Sequence, residues 1–385
     1  MTTLRSSAQL RAGSLVTQER QASLEKVVDR YAVAVPDALT RLIDRNDPHD
    51  PIARQFIPDI AELKHQTSEN EDPIGDDAHS PVEGIVHRYP DRVLLKPTHI
   101  CAVYCRFCFR REMVGPGKSN VLSHEAMERA LNYIRTHPEI WEVILTGGDP
   151  LILSTRRLRS IMSSLAKIDH VKVVRIHTRV PVAEPTRVTR ELVRAMKASK
   201  KTTYVTVHVN HPRELAVDAR AACASIADAG IPLLSQTVLL AGVNDTPEVM
   251  GQLMRTLVEC RIKPYYLHHC DMALGTSHFR TDLAIGQELM RVLRGRLSGL
   301  CQPTYVLDIP GGHGKSPIGP NYVERVGTNG HAKVVVEDYN GKRHRYPGLV
   351  SDGQQVKKSR RNGKAGKADE HDGDNRVPDE GRVTP

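Results

Sequence analysis

From Arg88 onward the chain alternates short runs of β-branched residues with amphipathic helical stretches, and this alternation restricts the fold more than any other feature. The apolar runs cover residues 93–95, 143–145, 171–176, 204–209, 233–239 and 264–267. Helical patterns fill the intervals at 125–135, 155–166, 190–198, 217–229 and 247–259. Such units join parallel strands by right-handed crossovers. Six of them predict an α/β fold, a partial (β/α)6 TIM-like barrel of parallel strands whose chemistry sits at the strands' C-terminal ends.

Residues 1–86 read as a helical N-terminal extension and linker. Leu24, Val27, Val28 and Tyr31 recur on one helical face, with Ser23 placed to cap it. Pro36-Asp37 breaks that helix and opens a second through Leu39, Leu42 and Ile43, and Asp50-Pro51 starts a third. Residues 68–81 are acidic and turn-rich, as in a linker. The barrel is expected over 87–300 and a C-terminal segment with a glycine-rich lysine loop over 301–350. Residues 351–385 form a Gly/Asp/Lys-rich tail, nearly devoid of apolar side chains and expected to be disordered.

The formal charge of +9 raises the question of a nucleic-acid partner. Part of it comes from Lys357, Lys358, Arg360, Arg361, Lys364 and Lys367 in the tail, where no stacking aromatics accompany it. Nucleic-acid binding is therefore the weaker reading. No apolar run reaches membrane-spanning length and the N-terminus lacks a secretory pattern. Seven cysteines, three of them clustered, argue against a disulfide framework and for a reducing cytoplasm.

The cluster is Cys101-Ala-Val-Tyr-Cys105-Arg-Phe-Cys108, directly after the first barrel strand. Three thiolates can hold a four-iron cluster and leave one iron open to a small molecule. A redox pair, or a zinc site with a fourth ligand elsewhere, would use the same residues. The second strand ends in Gly147-Gly148-Asp149, two glycines that bare the backbone and an acid able to accept from an ammonium group. Near the C-terminus lies Asp308-Ile-Pro-Gly-Gly-His-Gly-Lys315, which lacks the spacing of a phosphate loop. A lysine on a mobile glycine loop can instead hold pyridoxal phosphate.

The CxxxCxxC spacing and the Gly-Gly-Asp turn resemble the radical S-adenosylmethionine superfamily. Together with the lysine loop they resemble the lysine 2,3-aminomutase family over roughly residues 86–326. That resemblance implies an isomerase that moves the α-amino group of L-lysine to C3, giving β-lysine, with a 4Fe–4S cluster, S-adenosyl-L-methionine and pyridoxal 5′-phosphate as cofactors. It assigns Cys101, Cys105 and Cys108 to the cluster, and Gly147, Gly148 and Asp149 to the methionine amino group. His208 and Gln236 fall beside the adenosyl cofactor. Arg88, Tyr89 and Arg92 fall on the phosphate of pyridoxal phosphate, and Lys315 on the cofactor itself. Arg110 takes the substrate carboxylate, and Asp271 with Asp308 clasp the distal ammonium; relatives acting on glutamate lack this acidic pair.

Departures from the clostridial type are His268 in place of a tyrosine, His313 in place of a glycine, and Thr246 where a zinc-binding cysteine would stand. No structural zinc is expected, and Cys223, Cys260, Cys270 and Cys301 read as ordinary buried or semi-buried thiols. The resemblance also implies an electron donor such as flavodoxin or ferredoxin and leaves room for a homo-oligomer. A second reading is a related aminomutase supplying β-lysine for modification of elongation factor P. A third, of another class, is an iron–sulfur RNA-binding protein.

Overall fold

The computed structural model describes residues 3–115, 121–326 and 333–346, so the tail expected to be disordered lies outside the described residues. Nine strands form one sheet in chain order. They are β1 (Ile85–Tyr89), β2 (Arg92–Thr98), β3 (Glu142–Gly147), β4 (Val173–Thr178), β5 (Thr202–His208), β6 (Leu233–Leu239), β7 (Ile262–His269), β8 (Thr304–Ile309) and β9 (Gly314–Pro317). Strands β2 to β8 pair in parallel, while β1 and β9 pair antiparallel at the two edges. The sheet curls into a nearly closed barrel. The six expected strands are all present, and β8, the short strand before the lysine loop, adds a seventh parallel one.

The crossover helices form where the sequence supplies both a cap and an apolar stripe. Ser123, Ser154, Thr189 and Thr246 each accept a backbone N–H of the first turn. In the helix Pro247–Glu259, Met250, Leu253, Met254 and Leu257 are buried at helical spacing. Thr246, where the resemblance implies a zinc-binding cysteine in relatives, serves as a helix cap. Aliphatic side chains of strands and helices make one continuous core. A separate antiparallel sheet joins Val323–Val326, Lys333–Glu337 and Arg343–Tyr346.

The N-terminal region packs into that same core through Leu10, Leu24, Val27 and Leu39. Its first long helix spans Gln18–Arg30 and is capped by Thr17, not by Ser23, whose hydroxyl donates to the Arg20 carbonyl inside the helix. The opening turn is polar and solvated, so the apolar stripe begins more than a turn after the helix itself. Asp50 caps the helix Pro51–Phe56 as expected, accepting from the N–H groups of Ile52 and Ala53.

The stretch 68–81 is not a free linker. It runs as a strap over the mouth of the barrel. Near one end Asn70 N–H donates to the Met272 carbonyl at 3.0 Å, and Glu69 accepts from Gly275 N–H at 3.0 Å. Toward the other, Gly75 lies so close to the lysine loop that a Cβ there would meet Gly312 N at 2.5 Å, and the His79 ring Nε2 is 3.0 Å from the Gly312 carbonyl. Acids that composition assigns to solvent are here paired with buried arginines. No helix among the described residues is long and apolar enough to cross a membrane.

Candidate active site

Cys101, Cys105 and Cys108 lie on the loop leaving β2, at the C-terminal mouth of the barrel. The loop is fastened from behind. Arg106 is buried and its guanidinium forks onto Glu62, which also takes Arg111, while Arg106 N–H donates to the Gln55 carbonyl at 2.9 Å. Burial is the largest influence on the three thiols and raises all of them, Cys108 to about 11. Against this, Arg179 donates from Nη1 to Cys105 Sγ at 3.2 Å and favours its thiolate. Thiols kept protonated by burial give up their protons to a metal. Among the described residues no three acid, histidine or cysteine side chains converge on a single metal ion. Three thiols on one loop, with Cys101 and Cys108 each sensing a neighbouring thiol's charge, have the donor chemistry of a multi-iron cluster.

The Gly-Gly-Asp turn holds this loop from the side. Gly147 has φ +107°, and a Cβ on Gly148 would meet the Ile100 carbonyl at 2.3 Å. Gly148 and Asp149 donate their N–H groups to the carbonyls of Thr98 and Ile100, the residues just before Cys101. The Asp149 carboxylate is held by the protein on several sides. It is buried and accepts from Leu151 N–H at 3.0 Å, Thr178 Oγ1 at 2.8 Å and Arg179 N–H at 2.7 Å. In the turn it locks β3 to β4.

On the opposite edge, Gly311, Gly312 and Gly314 all adopt positive φ, and Gly314 passes within a Cβ distance of 2.9 Å from the Tyr89 hydroxyl. Tyr89 accepts from Lys315 N–H at 2.7 Å, and Arg92 lies 3.9 Å over the Tyr89 ring while its Nη1 pairs with Asp91. Lys315 Nζ donates to Asp308 Oδ1 at 2.7 Å, and His268 Nδ1 is 3.5 Å from Asp308 Oδ2. Burial alone would raise Asp308, but His268 and the Lys315 charge outweigh it and hold this acid well below the carboxylate range. Asp271 behaves oppositely. Burial, then the Asp308 charge, push it up to about 7, and its Oδ1 is buried without a hydrogen-bond partner.

Two arginines converge on one acid that the sequence reading passed over. Arg110 forks onto Asp76 Oδ2 from Nε and Nη2 at 2.9 and 2.7 Å. Arg88 donates from Nη2 to Asp76 Oδ1 at 3.0 Å and to the Ile74 carbonyl at 2.7 Å. Arg88 is therefore turned into the strap, whereas Tyr89 and Arg92 stand beside the lysine loop. Nothing local marks Asp76, one acid in an acidic stretch.

His208 and Gln236 are register partners on β5 and β6. Burial pushes His208 down to about 3, so its ring is neutral at any ordinary pH. His177 on β4 was also missed. Its ring lies edge-on to His208 at 6.2 Å, and its Nε2, like Thr206 Oγ1, is buried with no partner. Like His208, His177 stands at the C-terminal end of a barrel strand, where its residue type and position mark it in the sequence.

The site thus joins a thiol pocket, a cation-bearing loop, an arginine grip and an acid pair around a polar lumen. It suits a zwitterion with a further distal cation. Its residues also fit the cofactors named by the resemblance, because the unpartnered Asp271, His177 and Thr206 atoms all await polar partners in a buried space.

The Radical SAM superfamily model matches residues 95–254, and the Lysine-2,3-aminomutase model matches residues 290–371. The chain is 43% identical over 326 residues to the L-lysine 2,3-aminomutase of Clostridium subterminale, spanning 85% of this chain and 77% of that one. The Methanococcus maripaludis L-lysine 2,3-aminomutase is 42% identical over 330 residues, 86% of this chain and 75% of that one. A glutamate 2,3-aminomutase of Clostridioides difficile is 37% identical over 327 residues, 85% of this chain and 76% of that one.

Proposed function

The chain belongs to the L-lysine 2,3-aminomutase family of the radical SAM superfamily, and from that premise we propose how its residues carry out the reaction. The enzyme is an isomerase that moves the α-amino group of L-lysine to C3 and forms β-lysine. It works with a 4Fe–4S cluster, S-adenosyl-L-methionine and pyridoxal phosphate. When bound, these groups supply the hydrogen-abstracting radical and the π-system across which nitrogen migrates.

Cys101, Cys105 and Cys108 bind the cluster, with Arg179 offsetting the thiolate charge at Cys105. Gly147 and Gly148 carry the turn that would hold S-adenosylmethionine, and His208 and Gln236 would bind it from the strand ends. Lys315 would hold pyridoxal phosphate, with Tyr89 and Arg92 beside it for the phosphate and Arg88, whose Nη2 is turned to the strap, offering its unpartnered Nε. Arg110 takes the substrate α-carboxylate, for which a planar guanidinium is suited. Asp271 and Asp308 take the ε-ammonium. Fixing both ends of the substrate places C2 and C3 at one spot in a buried lumen, and exclusion of water protects the radical from quenching.

One observation carries the substrate assignment. Asp308 is buried and Asp271 partly so, the two carboxylates influence each other, and Asp271 Oδ1 is buried with no partner of its own. An arrangement that raises a carboxyl to about 7 is relieved by a cation placed between the pair. Isomerisation consumes no electrons, but the cluster must first be reduced, and we assign that priming electron to an acidic flavodoxin or ferredoxin docking on this basic chain. The deciding experiment is anaerobic reconstitution with L-lysine and chiral analysis of the product. β-Lysine with matching glutamate controls supports the reading, and turnover of glutamate but not lysine removes it.

A further inference from the structure

The acid that ties Arg88 to Arg110 lies outside every role assigned above. Asp76 is 1% exposed and makes three hydrogen bonds to two guanidinium groups. Burial alone would neutralise it, but Arg110, Lys96 and Arg88 outweigh burial and keep it charged. Lys96 is itself buried inside β2, so three cations surround this acid. Arg110 spends Nε and Nη2 on Asp76, which fixes the plane of the guanidinium and leaves Nη1 unengaged by that acid.

Asp76 also sits on a strap fastened on both sides of the mouth. Asn70 binds the carbonyl of Met272, next to Asp271, and His79 and Gly75 meet Gly312, three residues before Lys315. The Asp72 carboxylate accepts from the N–H groups of Asp76 and Asp77 and stiffens the turn between these anchors. The strap therefore connects the Arg110 grip to the loops that carry the acid pair and the lysine.

We propose that Asp76 is a positioning residue that sets Arg110 for the substrate's α-carboxylate and, through the strap, fixes that grip relative to Asp271 and Asp308. The inference rests on the reading of Arg110 as the carboxylate partner. A flexible Arg110 could still bind an anion, but it would hold the substrate's carboxylate end in many orientations.

The test uses holoprotein loaded with cluster and pyridoxal phosphate, without S-adenosylmethionine or reductant. Binding of L-lysine and of lysinamide, which lacks the carboxylate charge, is followed by the change in cofactor absorption. Asp76→Asn should weaken lysine by at least about tenfold, equal to ~1.4 kcal/mol, and leave lysinamide within about twofold. Asp76→Glu, which retains the charge on a longer arm, should fall between wild type and Asp76→Asn, and iron and pyridoxal phosphate content show whether each variant is folded. In turnover, KM should change more than kcat. Equal losses for both ligands, or an unchanged preference for lysine in both variants, overturns the inference. Arg110→Met separates the two levels. If it loses lysine while Asp76→Asn does not, the inference alone fails; if lysine binding survives in Arg110→Met, the reading of Arg110 fails with it.

Discussion

Lys315 Nζ lies 2.7 Å from Asp308 Oδ1, directly across the β8–β9 register. One member of the acid pair assigned to the substrate therefore faces the lysine assigned to pyridoxal phosphate. Borohydride reduction of the loaded protein should attach pyridoxal phosphate to Lys315, and Lys315→Ala should lose both the label and the visible absorption. Peptide mapping that finds the label on another lysine would end this assignment.

Asp271 gives a pH signature. Burial first and Asp308 second push it up to about 7, so below neutrality it is protonated and the grip carries one negative charge. Above neutrality it is ionised and the grip carries two. The kcat/KM for lysine should therefore rise as pH increases through about 7, and Asp271→Asn should remove that limb of the profile. A native profile that is flat around neutrality excludes Asp271 from the grip.

Neutralising either acid leaves the distal ammonium poorly paired in a buried site. Such a loss costs about 3–5 kcal/mol, so lysine turnover in Asp271→Asn and Asp308→Asn should fall by two or more powers of ten. Iron content should stay near the wild-type level. Norleucine, which lacks the distal cation, should be a poor substrate for the native enzyme and lose far less in the mutants. Comparable native turnover of lysine and norleucine removes the acid pair as the specificity device.

The cluster pocket is tested by two kinds of change. Replacing Cys101, Cys105 or Cys108 by Ala should abolish iron loading and deoxyadenosine formation, whereas Ala at Cys223, Cys260 or Cys301 should leave the iron content intact. Gly148→Ala keeps every thiol but drives a Cβ to 2.3 Å from the Ile100 carbonyl, next to Cys101. Relieving that overlap by shifting the loop costs about 1–3 kcal/mol, and iron loading should drop with it. Full iron content in Gly148→Ala would show that the turn does not set the loop.

The parts of this protein legible in its sequence are those whose physics is local. Strand–helix alternation follows from neighbouring side chains, a cysteine loop is defined by its own spacing, and consecutive glycines mark backbone that other residues cannot follow. The Lys315 loop, the acid pair and most of the lumen residues lay at strand ends, where a parallel barrel gathers them. The tertiary structure decided the pairings across long stretches of chain. Arg179 reaches Cys105 over 74 residues, Arg106 reaches Glu62 over 44, and Arg110 reaches Asp76 over 34. The turn-rich acids of residues 68–81 read equally well as a solvated linker, because composition states their charge but not their partners. A buried carboxylate remains ionised only where folding brings cations to it, and that arrangement is fixed by the path of the strap across the barrel mouth rather than by any residue within it.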